Sequence, residues 1–185
     1  TEIYTILFVG SVDVYKRQDV MWVEVGYAPV DTYSPSALVW GAGDVALAVE
    51  GAVQPMPSVR TDFGEVVAGS AELFTGDGSA PFTGEIVVDS EALAGAGEYG
   101  ARLVPTADAP GLVAVPYVSP LVPTRRFLRR QPVGRTDASR VFAGRALQAG
   151  GREIAVRIDG VARPRPVQRV TFYRHLRDIQ SVREL

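Results

Sequence analysis

The chain has 185 residues, 46% of them apolar, which is enough to build a core and argues against global disorder. It has no cysteine, so disulfides and thiol chemistry are excluded, and a structural zinc site is disfavoured. The formal charge of −2 hides an asymmetry: residues 19–123 hold 14 acidic and 2 basic residues, whereas residues 124–185 hold 5 and 15. Such a break suggests two units with different surfaces, complementary to each other or to neighbouring subunits.

Residues Ser11–Gln18 read SVDVYKRQ, and Lys16 inside this string is the chain's one lysine. The string resembles the in-frame translation of a sequencing-library adaptor. That resemblance implies that residues 1–18 are foreign, that they stay outside the fold, and that native sequence starts near Asp19. Ile3–Gly10 is apolar but far shorter than the roughly 18–20 residues of a spanning helix.

Nineteen glycines and thirteen prolines break the remainder into short runs rich in valine, threonine and aromatic residues. Strands at this spacing predict an all-β chain, a sandwich or barrel. The expected strands begin with Val20–Val25. A hairpin follows, with Ala37–Trp40 and Val45–Val49 flanking Gly41-Ala42-Gly43-Asp44, because Val45, Leu47 and Val49 alternate with smaller or polar residues. Gly51–Ser58, with Pro55 and Pro57, reads as a connector. Val66–Val67, Ala71–Phe74, Phe82–Val88, Glu98–Pro105 and Leu112–Val118 are the clearest strands. Asp77-Gly78 turns the chain between two of them, and Ala92–Gly97 reads as a loop. Pro116 suggests an edge position.

Residues 123–140 carry Arg125, Arg126, Arg129, Arg130 and Arg135 among prolines and glycine, and read as an exposed linker; a helix over Thr124–Gln131 is the alternative. Val141–Leu147, Ile154–Ile158 and Val167–Tyr173 are three further strands with an Asp159-Gly160 turn, and His175–Leu185 is ambiguous between strand and helix. The expected organisation is a β-sandwich over 19–122 of immunoglobulin-like or jelly-roll-like type. The linker follows, then an incomplete second small sandwich over 141–185.

Two resemblances rest on these runs. Ile154–Ile158, Gly160, Pro164, Pro166 and Val170–Tyr173 stand where carboxypeptidase-regulatory-like and transthyretin-like modules place their opening strands and glycine-proline phrase. The phrases WVEVGYAP, ALVWGAGDVALAV and RTDFGEVV resemble structural proteins of tailed-phage or prophage particles. This second resemblance implies an all-β, self-assembling, tail-associated part located in the virion or outside the cell. Its partners would be other virion proteins or its own copies. It implies no catalytic residues and no cofactor.

Chemistry is sparse. His175 is the one histidine, so any Ser-His-Asp triad would have to use it, and no metal-ligand cluster surrounds it. Glu85 and Asp89 share a strand face, as a glycosidase pair would, but a solvated face explains them as well. Asp77 and Asp89 lack the spacing of a calcium loop. Gly95–Gly100 spells GAGEYG but leads into a strand rather than a helix, unlike a dinucleotide loop. The candidate interaction residues are therefore Arg125, Arg126, Arg129 and Arg130, for an acidic partner, and Trp22 and Trp40, for packing or a sugar platform. Nucleic acid is disfavoured because the arginine cluster has no lysine and a single aromatic, Phe127. A carbohydrate-binding module of a secreted protein is the alternative function, with a glycan as its partner. Membrane insertion is not expected.

Overall fold

Alternation of apolar and polar residues puts every second side chain of a strand on one face, and burying that face requires a second layer. A computed structural model describes residues 5–8, 24–29, 31–41, 44–126 and 129–183. Among them, two short helices accompany an otherwise β chain. In order come β1 (Thr5–Phe8), β2 (Glu24–Tyr27), α1 (Pro35–Trp40), α2 (Val45–Glu50), β3 (Ala52–Met56), β4 (Val59–Thr61) and β5 (Val66–Val67). Then come β6 (Ala71–Thr75), β7 (Gly84–Val88), β8 (Glu91–Ala94), β9 (Gly100–Pro105), β10 (Leu112–Tyr117), β11 (Val122–Arg126) and β12 (Arg129–Val133). The last are β13 (Phe142–Gly144), β14 (Ala146–Ile158), β15 (Val161–Ala162), β16 (Val167–Arg174) and β17 (Ile179–Arg183).

The long strand β14 organises the sandwich. Its first half, from Leu147 to Gly151, pairs antiparallel with β7, and β16 runs along its other side. Its second half, Ile154–Ile158, pairs antiparallel with β6. The register shifts between Gly150 and Ile154, so the strand passes from one layer into the other at Gly150-Gly151. One layer runs β13-β10-β9-β6-β14, and the other carries β8 and β7, then β14, β16, β4 and β5. Leu73, Ile86, Leu93, Leu103, Leu112, Leu147, Ile154 and Phe172 fill the space between them, each at most 1% exposed. Ala101 and Leu103 lie in this core while Arg102 and Val104 are half-exposed, as the alternation of β9 predicts.

A smaller four-stranded sheet, β1-β2-β17-β3, packs Val25, Met56 and Ile179 around Trp40. Close approach here requires a glycine: a Cβ on Gly26 would lie 2.0 Å from the Ala48 carbonyl oxygen of α2. Gly100 is similarly constrained: its φ is +129°, and a Cβ there would lie 1.9 Å from the Leu73 carbonyl oxygen.

Several expectations need correction. The hairpin expected over 37–49 is two helices. Ser34 Oγ accepts from Ala37 N at 3.2 Å with Pro35 at the first position of α1, and Asp44 Oδ1 accepts from Leu47 N at 2.8 Å at the start of α2. The alternation misled because Val45 and Val49 are 54% and 53% exposed, whereas the small Ala48 faces the sheet. The connector at 51–58 contains β3, an edge strand that tolerates Pro55. The loop at 92–97 contains the end of β8. The linker at 123–140 contains a β-ribbon, not a helix: β11 and β12 pair antiparallel with Arg125 opposite Arg130 and Arg126 opposite Arg129. Strand β17 resolves the ambiguous C-terminal stretch.

The boundaries at 122 and 141 do not divide the core, because β13, β14 and β16 complete the same sheet as β6, β9 and β10. Within the segment expected to stay outside the fold, Thr5–Phe8 pairs parallel with β2 as β1; residues 11–18 lie outside the described residues. The all-β, sandwich-like architecture itself is as expected. No helix among the described residues is long and apolar enough to cross a membrane.

Candidate functional site

The outward face of the β6-β9-β10-β14 layer is not a plain solvated face. Strand register sets Arg157 of β14 opposite Glu72 of β6, and Glu72 opposite Arg102 of β9. The row therefore reads Arg-Glu-Arg across three strands. Arg157 Nε donates to Glu72 Oε2, and the Tyr117 hydroxyl donates to Glu72 Oε1 at 2.7 Å. Arg157 is 6% exposed and lies over the Phe74 ring, 5.2 Å from its centroid. Phe74, Tyr117 and Leu121 form an apolar cluster on this face. Burial first, and the neighbouring Glu72 carboxylate second, push the Tyr117 hydroxyl well above its ordinary pKa.

Both Glu72 oxygens are thus engaged by Arg157 and Tyr117, and the second guanidinium in the row, Arg102, has no such partner. Its Nε is buried and meets no hydrogen-bond acceptor among the described residues. Arg102 lies at the wall of a cleft of about 330 Å³ between α1 and the end of β9. Pro35, Leu38, Val39, Val104 and Ala107 supply apolar lining, and Gly69 also borders it. Two features hold this cleft in shape. Trp40 Nε1 donates to the Ala68 carbonyl at 2.8 Å, tying α1 to the main sheet. Asp159, at the β14–β15 turn, accepts from the backbone amides of Ala68, Gly69 and Ser70 at 2.7–2.9 Å.

The sequence candidates fall elsewhere. Trp40 is 5% exposed and packs with Tyr27, so it is a core residue and offers no sugar platform. Trp22 lies outside the described residues. Arg125, Arg126, Arg129 and Arg130 sit at paired backbone positions of β11 and β12, which form a two-stranded sheet. The His175 ring meets only the Arg177 amide and carbonyl of its own turn, each at 3.3 Å, among the described residues, while the His175 amide donates to the Ser58 carbonyl at 2.8 Å.

Asp89 accepts from the Arg145 and Ala146 amides, across the sheet, and Asp77 from Ser79 in its own turn, so the two carboxylates hold separate stretches of backbone rather than facing a shared ligand. Glu98 accepts from Gly95 N and from Arg140 at 2.7 Å, and this arginine holds its carboxyl below the usual range. No group of three or more His, Asp or Glu residues that could hold a metal ion occurs among the described residues.

The Arg102 cleft was not legible in the sequence. The available signal was a charged residue in the middle of each of three apolar strands, AELF, GARLV and IAVRI. Register across distant strands decides that they meet.

No family model matches this sequence, and no curated protein does. The fold has a solved counterpart. It is similar to the crystal structure of yeast NADH kinase complexed with NADH, with a TM-score of 0.54 at 12% identity. The match covers 98% of this chain and 62% of the kinase chain. At that identity the likeness concerns the fold alone.

Proposed function

We propose that this protein binds a small organic anion with a flat or apolar body, of the nucleotide type, in the cleft between α1 and β9. The observation that carries this reading is the half-buried Arg102, whose Nε lacks an acceptor at the edge of an apolar cleft. A buried donor left unsatisfied costs about 1–3 kcal/mol, which a phosphate or carboxylate oxygen would recover. With Glu72 engaged by Arg157 and Tyr117, the row carries two positive charges against one negative, so an anion is favoured over a neutral ligand. Pro35, Val39 and Val104 would cover the ligand's apolar part.

At about 330 Å³ the cleft is at the small end of ligand sites, with room for one ring and its charged neighbour rather than a whole dinucleotide. The solved neighbour is described with NADH, which contains both aromatic rings and phosphates, and this supports nucleotides as the first probes.

Titration calorimetry with NADH, ADP and benzoate is the test. Binding by at least one of them, weakened at least about tenfold by Arg102→Gln, is expected; tenfold corresponds to about 1.4 kcal/mol. Silence with all three, or equal binding by Arg102→Gln, overturns the reading. Phosphate transfer from ATP to NADH, assayed in parallel, decides whether binding is accompanied by catalysis.

A second reading, a structural part that assembles with copies of itself or with other particle proteins, is favoured by the arginine ribbon and by the exposed Leu38, Val45 and Val49. Its origin in a phage or prophage particle draws on the sequence phrases alone. Capsid, portal or tail genes beside its gene would support that origin, and a metabolic operon would remove it.

A further inference from the structure

In a regular strand, consecutive side chains face opposite ways. Strand β14 breaks this rule where it crosses between the layers. Gly150 pairs with Arg169 and Ile154 with Val167 of β16, so Gly151, Arg152 and Glu153 face Gln168 alone. The bulge re-aims the chain, and Glu153 takes a left-handed φ of +50°, which a glutamate keeps only where its surroundings impose it. Here they do. The Arg152 amide donates to the Thr83 carbonyl at 3.1 Å, and the Thr83 hydroxyl donates to the Arg152 carbonyl at 3.2 Å. The Gly76 amide donates to the Glu153 carbonyl at 3.5 Å.

The bend opens a cleft of about 510 Å³, lined by Arg152, Glu153, Pro166, Val167 and Gln168. That volume falls within the ~300–1,000 Å³ usual for small-molecule sites. Its two charged side chains are consecutive in sequence, yet they pair neither with each other nor with any other described residue. Elsewhere in the fold Glu65, Glu72, Glu98 and Asp178 each close an ion pair with an arginine. Arg165 and Arg169 adjoin the lining in sequence but do not border the cleft. The walls therefore offer one guanidinium, one carboxylate, one amide and the apolar surfaces of a proline and a valine.

We infer that this cleft binds a free α-amino acid with an apolar side chain. Arg152 takes the ligand's carboxylate, since a planar guanidinium makes two parallel hydrogen bonds to such a group. Glu153 accepts from the ligand's ammonium, Gln168 offers both a donor and an acceptor, and Pro166 with Val167 covers the ligand's side chain. A zwitterion satisfies both charges at once, whereas a simple anion is repelled by Glu153 and a simple cation by Arg152. No aromatic ring lines the cleft to stack on a sugar or a base. The inference is independent of the Arg102 cleft.

Titration calorimetry of the full chain with L-leucine, L-leucinamide and N-acetyl-L-leucine tests it. Leucine is expected to bind. Leucinamide lacks the carboxylate and N-acetylleucine the ammonium, so each should bind at least about tenfold more weakly. Two variants make the test specific. Arg152→Gln, at an exposed position, should weaken leucine at least about tenfold without weakening leucinamide, because the charge that Arg152 meets is already gone. Glu153→Gly should weaken leucine without weakening N-acetylleucine. Glycine accepts the positive φ at this position, so an unchanged or higher melting temperature shows that this variant is folded. Arg102→Gln should bind leucine as the wild type does. Silence with leucine, N-acetylleucine or glucose binding as tightly as leucine, or leucine binding left intact in both cleft variants would each overturn the inference. So would loss of leucine binding in Arg102→Gln, which would place the ligand in the other cleft.

Discussion

The Glu72 carboxylate on β6 meets the Arg157 guanidinium on β14, 85 residues later in the chain, on the outward face of the sandwich. The pair is closed on one side by Phe74 and on the other by Tyr117. Because Arg157 is buried, its charge depends on this carboxylate more than a surface arginine's would. Glu72→Gln should destabilise the protein by about 1–3 kcal/mol in urea unfolding. Glu85→Gln, on an exposed position, should stay within about 0.5 kcal/mol of wild type.

Tyr117 makes stability fall at alkaline pH. Its hydroxyl ionises at higher pH in the folded protein than in the unfolded chain, by burial and by the Glu72 charge. The stabilising difference is complete below the ordinary tyrosine value of about 10 and is lost as pH rises above it. The urea midpoint should therefore drop between pH ~9 and ~11, and Tyr117→Phe should flatten that drop. An equal slope in the variant would assign the effect to other groups.

Glu98 acts at the acid end with the opposite sign. Its hydrogen bond to Arg140 lowers its pKa, so its contribution is present above the ordinary glutamate range and is lost as pH falls through the lowered value. Both side chains are partly exposed, so the effect should stay below about 1 kcal/mol. Arg140→Gln should remove it, read as a shallower loss of thermal stability below pH ~4.5.

Asp159 ties the β14–β15 turn to the 68–70 segment by accepting three backbone amides, and it adopts a positive φ of 50°. Aspartate and asparagine tolerate that conformation better than alanine does. Asp159→Ala should cost about 1–3 kcal/mol in stability, and Asp159→Asn clearly less. Because Gly69 borders the cleft, the alanine variant should also weaken whatever anion binding calorimetry detects.

Deleting residues 1–18 removes β1 and bares the parallel edge of β2. A lower melting temperature is expected, by about 2–4 °C for each kcal/mol lost in a chain of this size. An unchanged melting curve would mean that β1 contributes nothing to folding.

Local pattern alone established that sheets, not helices, bury the interior. The two-residue period of Phe82–Val88 and of β9 reads directly as core and surface, because successive strand side chains face opposite ways. The turns at Asp77-Gly78 and Asp159-Gly160 were legible for a similarly local reason, the positive φ that these residues accept. The two helices were misread although their caps, Ser34 with Pro35 and Asp44, stood in the sequence, because Val45, Leu47 and Val49 fit both periods over so short a run.

Which strands lie side by side emerged from the assembled fold. It carried β14 through both layers, brought Arg157, Glu72 and Arg102 into one row, and engaged Glu72 with Arg157 and Tyr117 while Arg102 was left facing the cleft. Alternation reports which face a residue takes. Register between strands tens of residues apart is set by the global packing of the sheet, and no local pattern encodes it.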